Sequence, residues 1–429
     1  MKTREWLRRR ITDMIVGEHE LALKSGAFSL APHFEGIDSL GLYLHVPFCR
    51  QICPYCPYNK ELFDAALAER YTQAVLMEID RYATIVGGLP ITSFYIGGGT
   101  PTTMLQTGLP TILEQIYRRF NMQCGIHMES HPNDLSPLNL DTIVALGVEH
   151  LSMGIEALQD HHLRRLRRPY TVAEAQDAIA RAVAKGFKCV NVDLMFALPD
   201  QTHKELEWSG RTLIELGVDQ IAAYPIFSFP YTQWPQLADQ HQYRSFSLVQ
   251  KRRMLRVLEE IFYGAGYRRT SVWAFTKAGS PKYCSVTVPL YLGLGPSGGS
   301  YLRDIFYLNT FSTAAYNQAL EDGHMPIALS LELSERMEMT GWLYWRIYET
   351  RFSKHDFERR FHRPLDTVYG KYLWLLSLLG FLTAGEDEVA LTDSGAYWLH
   401  VVQDLFSIDY IGTLWGTSRH APWPEEVHL

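Results

Sequence analysis

Short apolar runs alternate with longer amphipathic stretches over the first half of the chain. The runs are rich in β-branched and aromatic residues, as buried strands are. They cover residues 42–46, 91–99, 125–130, 148–156, 188–199 and 218–227. Between them, residues 65–83 and 171–187 place apolar residues at the i, i+3, i+4, i+7 spacing of a helix. This alternation predicts parallel strands with right-handed crossovers, and hence an α/β fold that is either a partial (β/α)6 barrel or an open sheet.

The pattern changes near residue 330, where helical spacing becomes dominant. Residues 343–352 and 366–382 are expected to be helical, and residues 380–395 are expected to form a short hairpin like the wing of a winged helix. We therefore expect an N-terminal extension over 1–40, a core domain over 41–302 and a mainly helical, winged-helix-like domain over 303–429. Because this last part is rich in Trp, Tyr and Leu, we expect it to pack on the core as a lid over an apolar substrate.

The first twenty residues combine several arginines with an apolar helical face that includes Trp6, Leu7 and Ile11. Acidic residues in the same segment argue against an organelle transit peptide. We expect this segment to cover the open mouth of the barrel. Peripheral contact with a membrane surface is the alternative.

Composition narrows the setting. The chain has 429 residues, of which 47% are hydrophobic and 20% charged, as in folded proteins with more than one domain. A formal net charge of −7 argues against a nucleic-acid partner. The sequence has no apolar run of membrane-spanning length and no secretory signal, so we expect a cytoplasmic monomer.

Half of the six cysteines lie in one short segment, as Cys49, Cys53 and Cys56. A disulfide between the last two would leave the first one unpaired. A zinc site would need a fourth ligand, for which His45 is available, but there is no second C-x2-C pair. An iron–sulfur cluster is the third interpretation and the one we favour, because three thiolates on a four-iron cluster leave one iron open for a cofactor or substrate.

Polar and glycine residues collect where the predicted strands end. The cysteine segment follows the first strand, and the glycine-rich residues 97–102 follow the second. Glu129, Glu156 and Asp193 lie at the ends of the third and fourth strands and within the fifth. Since the carboxyl ends of parallel strands meet at one edge, these residues are expected to form one site.

Six motifs in this order resemble the HemN-like branch of the radical S-adenosylmethionine (SAM) proteins. They are YLHVPFCRQICPYC, YIGGGTPT, MESHPND, LSMGIEALQD, NVDLMFALPDQT and YLGLGPSGGSYL. This branch holds oxygen-independent coproporphyrinogen III oxidase, a haem chaperone and the class C radical SAM methyltransferases. The resemblance implies a partial (β/α)6 radical SAM barrel, a [4Fe–4S] cluster and reductive cleavage of SAM to a 5′-deoxyadenosyl radical. It also implies an electron donor such as flavodoxin or ferredoxin.

The resemblance also implies residue roles. The three clustered cysteines match the cluster ligands. Residues that match SAM contacts are Tyr43, Tyr55, Gly98, Gly99, Thr100, Glu129, Pro225 and Gly299. A second SAM is expected at Glu156, Arg168 and Asp193, although the family has glutamine where this chain has Glu156.

A further departure is Tyr58, which stands where the oxidase carries an additional cysteine. We therefore expect an enzyme that binds two SAM molecules and methylates an sp² carbon of a bulky aromatic or tetrapyrrole-like substrate, such as a quinone. Oxidative decarboxylation of coproporphyrinogen and haem carriage without catalysis are the alternatives.

Overall fold

The computed structural model describes residues 21–26, 28–283 and 289–429. The predicted amphipathic segment of the first twenty residues therefore lies outside the described residues. The strands are β1 (Ala22–Lys24), β2 (Leu40–Val46), β3 (Phe48–Cys49), β4 (Glu61–Leu62), β5 (Pro90–Gly98), β6 (Asn121–Met122), β7 (Ile126–Ser130), β8 (Val148–Glu156), β9 (Cys189–Phe196), β10 (Gln220–Pro225), β11 (Tyr267–Arg269), β12 (Ala274–Lys277), β13 (Tyr291–Leu294), β14 (Gly299–Tyr301), β15 (Ile305–Asn309), β16 (Ile327–Glu332), β17 (Arg351–Ser353), β18 (Leu382–Ala384), β19 (Glu388–Leu391) and β20 (Glu426–His428).

The helices separate these strands along the chain. They are α1 (Ala65–Val86), α2 (Gly108–Arg119), α3 (Pro137–Ala145), α4 (Asp160–Arg165), α5 (Val172–Lys185), α6 (His203–Glu215), α7 (Trp234–Gln240), α8 (Leu248–Gly264), α9 (Thr313–Glu321), α10 (Glu335–Glu349), α11 (Lys354–Phe361), α12 (Leu365–Leu378) and α13 (Asp393–His420). No helix in the described part of the chain has the length and apolar character needed to span a membrane.

The predicted parallel sheet is confirmed. Its strands lie in the order β10-β9-β8-β7-β5-β2, and each neighbouring pair is parallel. β8 has the predicted bounds, and the other five predicted strands differ from the structure by one to three residues at an end. The sheet is open, so the fold is the partial barrel or open sheet that the pattern predicted and not a closed barrel.

The sheet continues beyond these six strands. β13 adds in parallel to β2, and β14, β15 and β16 follow in antiparallel order. β1 then lies between β16 and β20, antiparallel to both. The main sheet therefore runs across the domain boundary predicted at residue 302.

The crossover helices bury a narrow apolar face against the sheet. In α5 the buried residues Ala175, Ala178, Ile179 and Ala182 follow the helical spacing seen in the sequence. Thr171 and Glu174 form a capping box at its start, which satisfies backbone N–H groups that the helix leaves free. Local chemistry thus fixes where this helix begins, and its apolar face fixes which side meets the sheet.

The C-terminal part is mainly helical, as predicted. A second core of aromatic and aliphatic side chains joins α10, α11 and α12, with Trp342 and Phe357 at 5.3 Å between ring centroids. The predicted hairpin is present as β18 and β19, which pair antiparallel beside β17. The long helix α13 runs back from this unit to the core domain.

Candidate active site

Of the three clustered cysteines, Cys49 ends β3, and Cys53 and Cys56 lie on the loop between β3 and β4; we call this whole segment the cysteine loop. These two short strands pair in parallel, and the Phe63 amide donates to the Cys49 carbonyl at 2.9 Å. The ammonium group of Lys60 donates to the Cys56 carbonyl at 2.7 Å. The loop is therefore folded by its own backbone, with three free thiols. The disulfide alternative between Cys53 and Cys56 is wrong for this structure.

The chemistry of this loop fits an iron–sulfur cluster. Burial raises the pKa of the Cys49 thiol to about 12 and also raises that of Cys56, so a bound cation is needed to keep these sulfurs as thiolates. Two hydrogen bonds point at the sulfurs: Thr100 Oγ1 donates to Cys49 at 3.4 Å, and Arg168 Nη1 donates to Cys53 at 3.3 Å. Such donors stabilise metal-bound thiolates.

The zinc alternative does not fit. The one set of three potential ligand atoms that lie within 4.8 Å of one another among the described residues does not include the loop cysteines. His45, the proposed fourth zinc ligand, has both ring nitrogens occupied. Its Nδ1 pairs with the Tyr43 hydroxyl at 2.9 Å, and its Nε2 pairs with the Asn59 carbonyl at 2.9 Å.

The glycine-rich residues after β5 pack tightly against the cysteine loop. Gly98 has φ +111°, and a Cβ there would lie 2.6 Å from the His45 ring. A Cβ on Gly99 would lie 2.7 Å from the Phe48 carbonyl oxygen. The amides of Gly99 and Thr100 donate to the backbone of Val46 and Phe48. Both glycines are thus required by the packing of the loop itself, whatever they bind.

Glu129 lies on β7 beside this loop. Tyr95 donates to its carboxylate at 2.5 Å, and the Gly98 amide donates at 3.2 Å. Burial raises the pKa of Glu129 to about 7, because the charged form loses hydration, and the nearby Glu156 raises it further. Tyr43 stands next to Tyr95 in the register of β2 and β5. This part of the site is therefore arranged to receive a cationic group.

Glu156, Arg168 and Asp193 form a second polar set, in which Glu156 is buried and the other two are partly buried. Arg168 donates to the Gly154 carbonyl, and its Nε donates to the Tyr170 hydroxyl at 2.8 Å. The Glu156 carboxylate accepts from Tyr224 at 3.0 Å, and Asp193 accepts from Asn191 at 2.9 Å. Burial raises the pKa of both carboxyl groups, and repulsion from Glu156 raises that of Asp193 further.

Glu156 itself is held in a sharp turn at the end of β8. Its φ is +69°, and the Ala157 amide donates to the Ile155 carbonyl at 2.8 Å across it. This is the geometry of a γ-turn, which is uncommon for a residue with a side chain and costs about 1–3 kcal/mol. The turn aims the carboxylate into the site instead of along the strand.

A cavity of about 1270 Å³ opens beside Glu129, which with Tyr43 and Gly98 makes up the first polar set. Tyr43, Gly98 and Glu129 line one end of it, and Gly299 on β14 lies on its wall. Aliphatic and aromatic side chains from α10, α12 and α13 line the rest, Tyr344 and Phe406 among them. Glu156, Arg168 and Asp193 do not line this cavity.

The C-terminal end of α13 covers the cysteine loop. Arg419 donates to the carbonyls of Pro57 and Tyr58 at 3.1 and 2.7 Å. The rings of Tyr58 and Trp415 lie 6.0 Å apart. Asn59 also donates to the Phe311 carbonyl at 2.8 Å, so the loop is tied to distant parts of the chain.

The structure brings Glu129, Glu156 and Asp193 close enough that each affects the charge of another. Pro225 ends β10 beside Phe196 at the same edge of the sheet, as the sequence predicted. Sequence reasoning missed Tyr95, Tyr170 and Asn191, the direct partners of the predicted residues. For Tyr95 the signal was present, since it lies in the predicted second strand two residues before the glycine-rich segment.

Comparison with known proteins identifies the class. The radical SAM superfamily profile matches residues 43–212, which include both polar sets and the three cysteines. "Heme chaperone HemW" of Bacillus subtilis is 26% identical over 360 residues, covering 82% of this chain and 95% of the relative. "Oxygen-independent coproporphyrinogen III oxidase" of Escherichia coli is 27% identical over 225 residues, covering 52% of this chain and 48% of the relative.

The fold agrees with these matches. The solved structure of coproporphyrinogen III oxidase (HemN) from Escherichia coli superposes with a TM-score of 0.76 at 20% identity, covering 92% of this chain and 95% of that one. Residues 43–212 therefore match the radical SAM superfamily, and the chain as a whole is similar to the HemN-like proteins of that superfamily. Its cofactors are accordingly a [4Fe–4S] cluster and SAM.

Proposed function

We propose that this protein is a radical SAM enzyme that transfers a methyl-derived carbon to an sp² carbon of a bulky, mostly apolar ring compound. The observation that carries the proposal is the cavity of about 1270 Å³ that opens from Tyr43, Gly98 and Glu129. It exceeds the usual size of a pocket for one small molecule, about 300–1,000 Å³. It therefore has room for both a SAM molecule and a ring system.

The two polar sets support two SAM sites. We assign the set around Arg168 to the SAM at the cluster and the set around Glu129 to the second SAM, which reverses the assignment expected from the sequence. Arg168 contacts Cys53, and Thr100 contacts Cys49, so we assign Tyr55, Gly99, Thr100, Glu156, Arg168, Asp193 and Pro225 to the SAM at the cluster. We assign Tyr43, Gly98, Glu129 and Gly299, which line the cavity, to the second SAM. A methyl donor would lie between the cluster-bound SAM and the substrate, and the lining of the proposed substrate cavity by Tyr43, Gly98 and Glu129 supports this assignment.

The chain's own residues then have defined tasks. Cys49, Cys53 and Cys56 would hold the cluster, which when bound supplies the electron that cleaves SAM to methionine and a 5′-deoxyadenosyl radical. Arg168 and Thr100 donate hydrogen bonds to the sulfurs. Glu129 faces the positive charge of the second SAM, and the end of α13 keeps water away from the loop.

Tetrapyrrole binding is the second candidate, and two observations favour it. The relatives named above are a heme chaperone and a coproporphyrinogen oxidase. Three basic side chains, Arg336, Arg363 and Lys371, line the cavity and suit the carboxylates of such a ring. Among the described residues that line the cavity, the only histidine is His45. Both of its ring nitrogens are already hydrogen-bonded, which argues against its use as an axial ligand to haem iron.

The decisive experiment follows the methyl group. Anaerobically reconstituted protein is mixed with reduced flavodoxin, SAM labelled at its methyl carbon, and menaquinone or coproporphyrinogen III. Methyl transfer predicts labelled product together with 5′-deoxyadenosine and S-adenosylhomocysteine. Release of carbon dioxide without label transfer would support oxidative decarboxylation instead.

The chaperone candidate has a separate readout. Tight haem binding by the reconstituted protein, with no product derived from SAM, would replace the methyltransferase proposal. The Cys53→Ala variant is the control for the cluster, because it removes one of its three protein ligands. It should lose both 5′-deoxyadenosine and product.

A further inference from the structure

Two histidines and a glutamate meet where α4 lies against α6. His161 and His162 lie on α4, and Glu205 lies on α6. Their potential ligand atoms all lie within 4.8 Å of one another. His161 Nε2 is 3.3 Å from Glu205 Oε1, and His162 Nε2 is 3.8 Å from Glu205 Oε2.

His162 is the unusual member of this group. Its side chain has no exposed surface, and neither ring nitrogen has a hydrogen-bond partner. Buried polar atoms are nearly always paired, since leaving them without a partner costs free energy. A buried imidazole whose ring nitrogens have no other partner can bind a metal ion through one of them.

Glu205 is held in place for the same role. Its Oε2 accepts from the backbone amide and the hydroxyl of Thr202 at 2.7 and 2.9 Å, in the capping box that begins α6. Its Oε1 faces His161 instead. Hydrogen bonds of this kind orient the carboxylate of a metal site.

We propose that His161, His162 and Glu205 bind a zinc ion that is separate from the iron–sulfur cluster. Two ligand atoms about 2.1 Å from a tetrahedral zinc lie about 3.4 Å apart, close to the separations seen here. Two imidazoles and one carboxylate make a common zinc ligand set. His161 is 45% exposed, so water can take the fourth position.

The zinc ion would stabilise the segment that joins Glu156 to Arg168. α4 lies between Glu156 and Arg168 in the chain, and it is already tied to α6 by Gln159, which donates to the Glu205 carbonyl and to Ser209. Of the arginines nearby, Arg165 is paired with Asp200 at 3.0 Å, which reduces its repulsion of a cation. The ion joins the same two helices from their solvent side, and this role does not depend on the reaction catalysed.

The test measures zinc on the full chain after anaerobic cluster reconstitution. The protein is dialysed against buffered free zinc, and zinc and iron per chain are determined by mass spectrometry. His161→Gln and Glu205→Gln should each lose one zinc ion per chain and keep the iron. Glutamine can still form the capping box, so Glu205→Gln isolates the loss of the carboxylate.

The matched control is Glu174→Gln, which makes the same change in the capping box of α5. This variant should keep its zinc. Added zinc should raise the unfolding midpoint of the wild type and leave that of His161→Gln unchanged. Full zinc content in both His161→Gln and Glu205→Gln, or zinc that disappears only in Cys53→Ala, would overturn the proposal.

Discussion

At the scale of single residues, we assign each polar side chain to one of the two SAM molecules according to whether it contacts a cysteine sulfur or lines the cavity. Arg168 donates to Cys53, whereas Glu129 lies on the cavity and accepts from Tyr95. These two residues, one on β7 and the other beyond α4, thus serve different molecules in our proposal. Their substitution should separate the two half-reactions.

We expect Arg168→Ala to lose both SAM cleavage and product, because it removes the cation beside Cys53 and the cluster-bound SAM. Glu129→Gln should keep 5′-deoxyadenosine formation but lower product at least tenfold, the equivalent of about 1.4 kcal/mol. Both compounds are measured by chromatography in one assay. Arg164→Ala, on the exposed side of α4, is the control. If Arg168→Ala still cleaved SAM, the expectation from the sequence that Arg168 binds the second SAM would hold instead.

The pKa of Glu129 gives a pH prediction. Burial raises that pKa to about 7, so the carboxyl is mostly protonated below pH 7 and charged above it. Affinity for the second, cationic SAM should therefore rise as the pH increases through 7 and then level off. Calorimetry at several pH values checks this, and proton release on binding should accompany it. In Glu129→Gln the rise should be absent.

At the scale of elements, a buried carboxylate joins α1 to the antiparallel strands. Glu78 accepts from the Gly295 amide, from Asn309 and from Tyr316, at 2.8, 2.7 and 2.5 Å. These three partners lie after β13, on β15 and on α9. The network holds the segment next to His45, where a Cβ on Gly295 would lie 2.5 Å from the His45 carbonyl oxygen.

We expect Glu78→Ala to lower the free energy of unfolding by about 3 kcal/mol, because it leaves several buried donors without an acceptor. Glu78→Gln keeps one carbonyl oxygen as acceptor and should lose less. Chemical denaturation of the two variants under the same conditions gives the difference. A loss in Glu78→Gln as large as that in Glu78→Ala would contradict this expectation, because glutamine keeps both the side-chain volume and one acceptor oxygen.

The contact between α13 and the cysteine loop predicts a second effect at this scale. Arg419→Ala removes the donors to the Pro57 and Tyr58 carbonyls. We expect the reconstituted cluster to bleach several-fold faster in air, while its initial iron content stays unchanged. Visible absorption followed over time measures this. Arg256→Ala, on the exposed face of α8, should bleach at the wild-type rate.

Much of this organisation could be predicted from the sequence, and the part that could not has a physical reason. Strand periodicity located β8 to the residue, and convergence of strand ends brought together Glu129, Glu156 and Asp193. The contact of Arg419 with the cysteine loop joins residues more than 300 positions apart, and no local pattern encodes it. The γ-turn at Glu156 was also invisible, since glutamate gives no signal for positive φ.

At the scale of the whole molecule, the C-terminal helices and the sheet share one cavity. Ser407 on α13 faces it. Ser407→Trp should fill part of the space, so that substrate turnover is lost while SAM is still cleaved without product. The ratio of 5′-deoxyadenosine to product is the measurement. Thr413→Trp, at an exposed position of the same helix, is the control and should keep the wild-type ratio.

The pairing of β1 with β20 has a consequence for how the protein is made. Ala22 stands opposite His428 in the register of these strands, so one of the earliest strands of the chain waits for one of the last. Contacts over such sequence separations form slowly, because a very long loop has to close first. On the ribosome the six parallel strands emerge well before this pairing is possible. The outer edge of β1 therefore stays open until synthesis reaches β20, and during that interval a chaperone or a second nascent chain can occupy it.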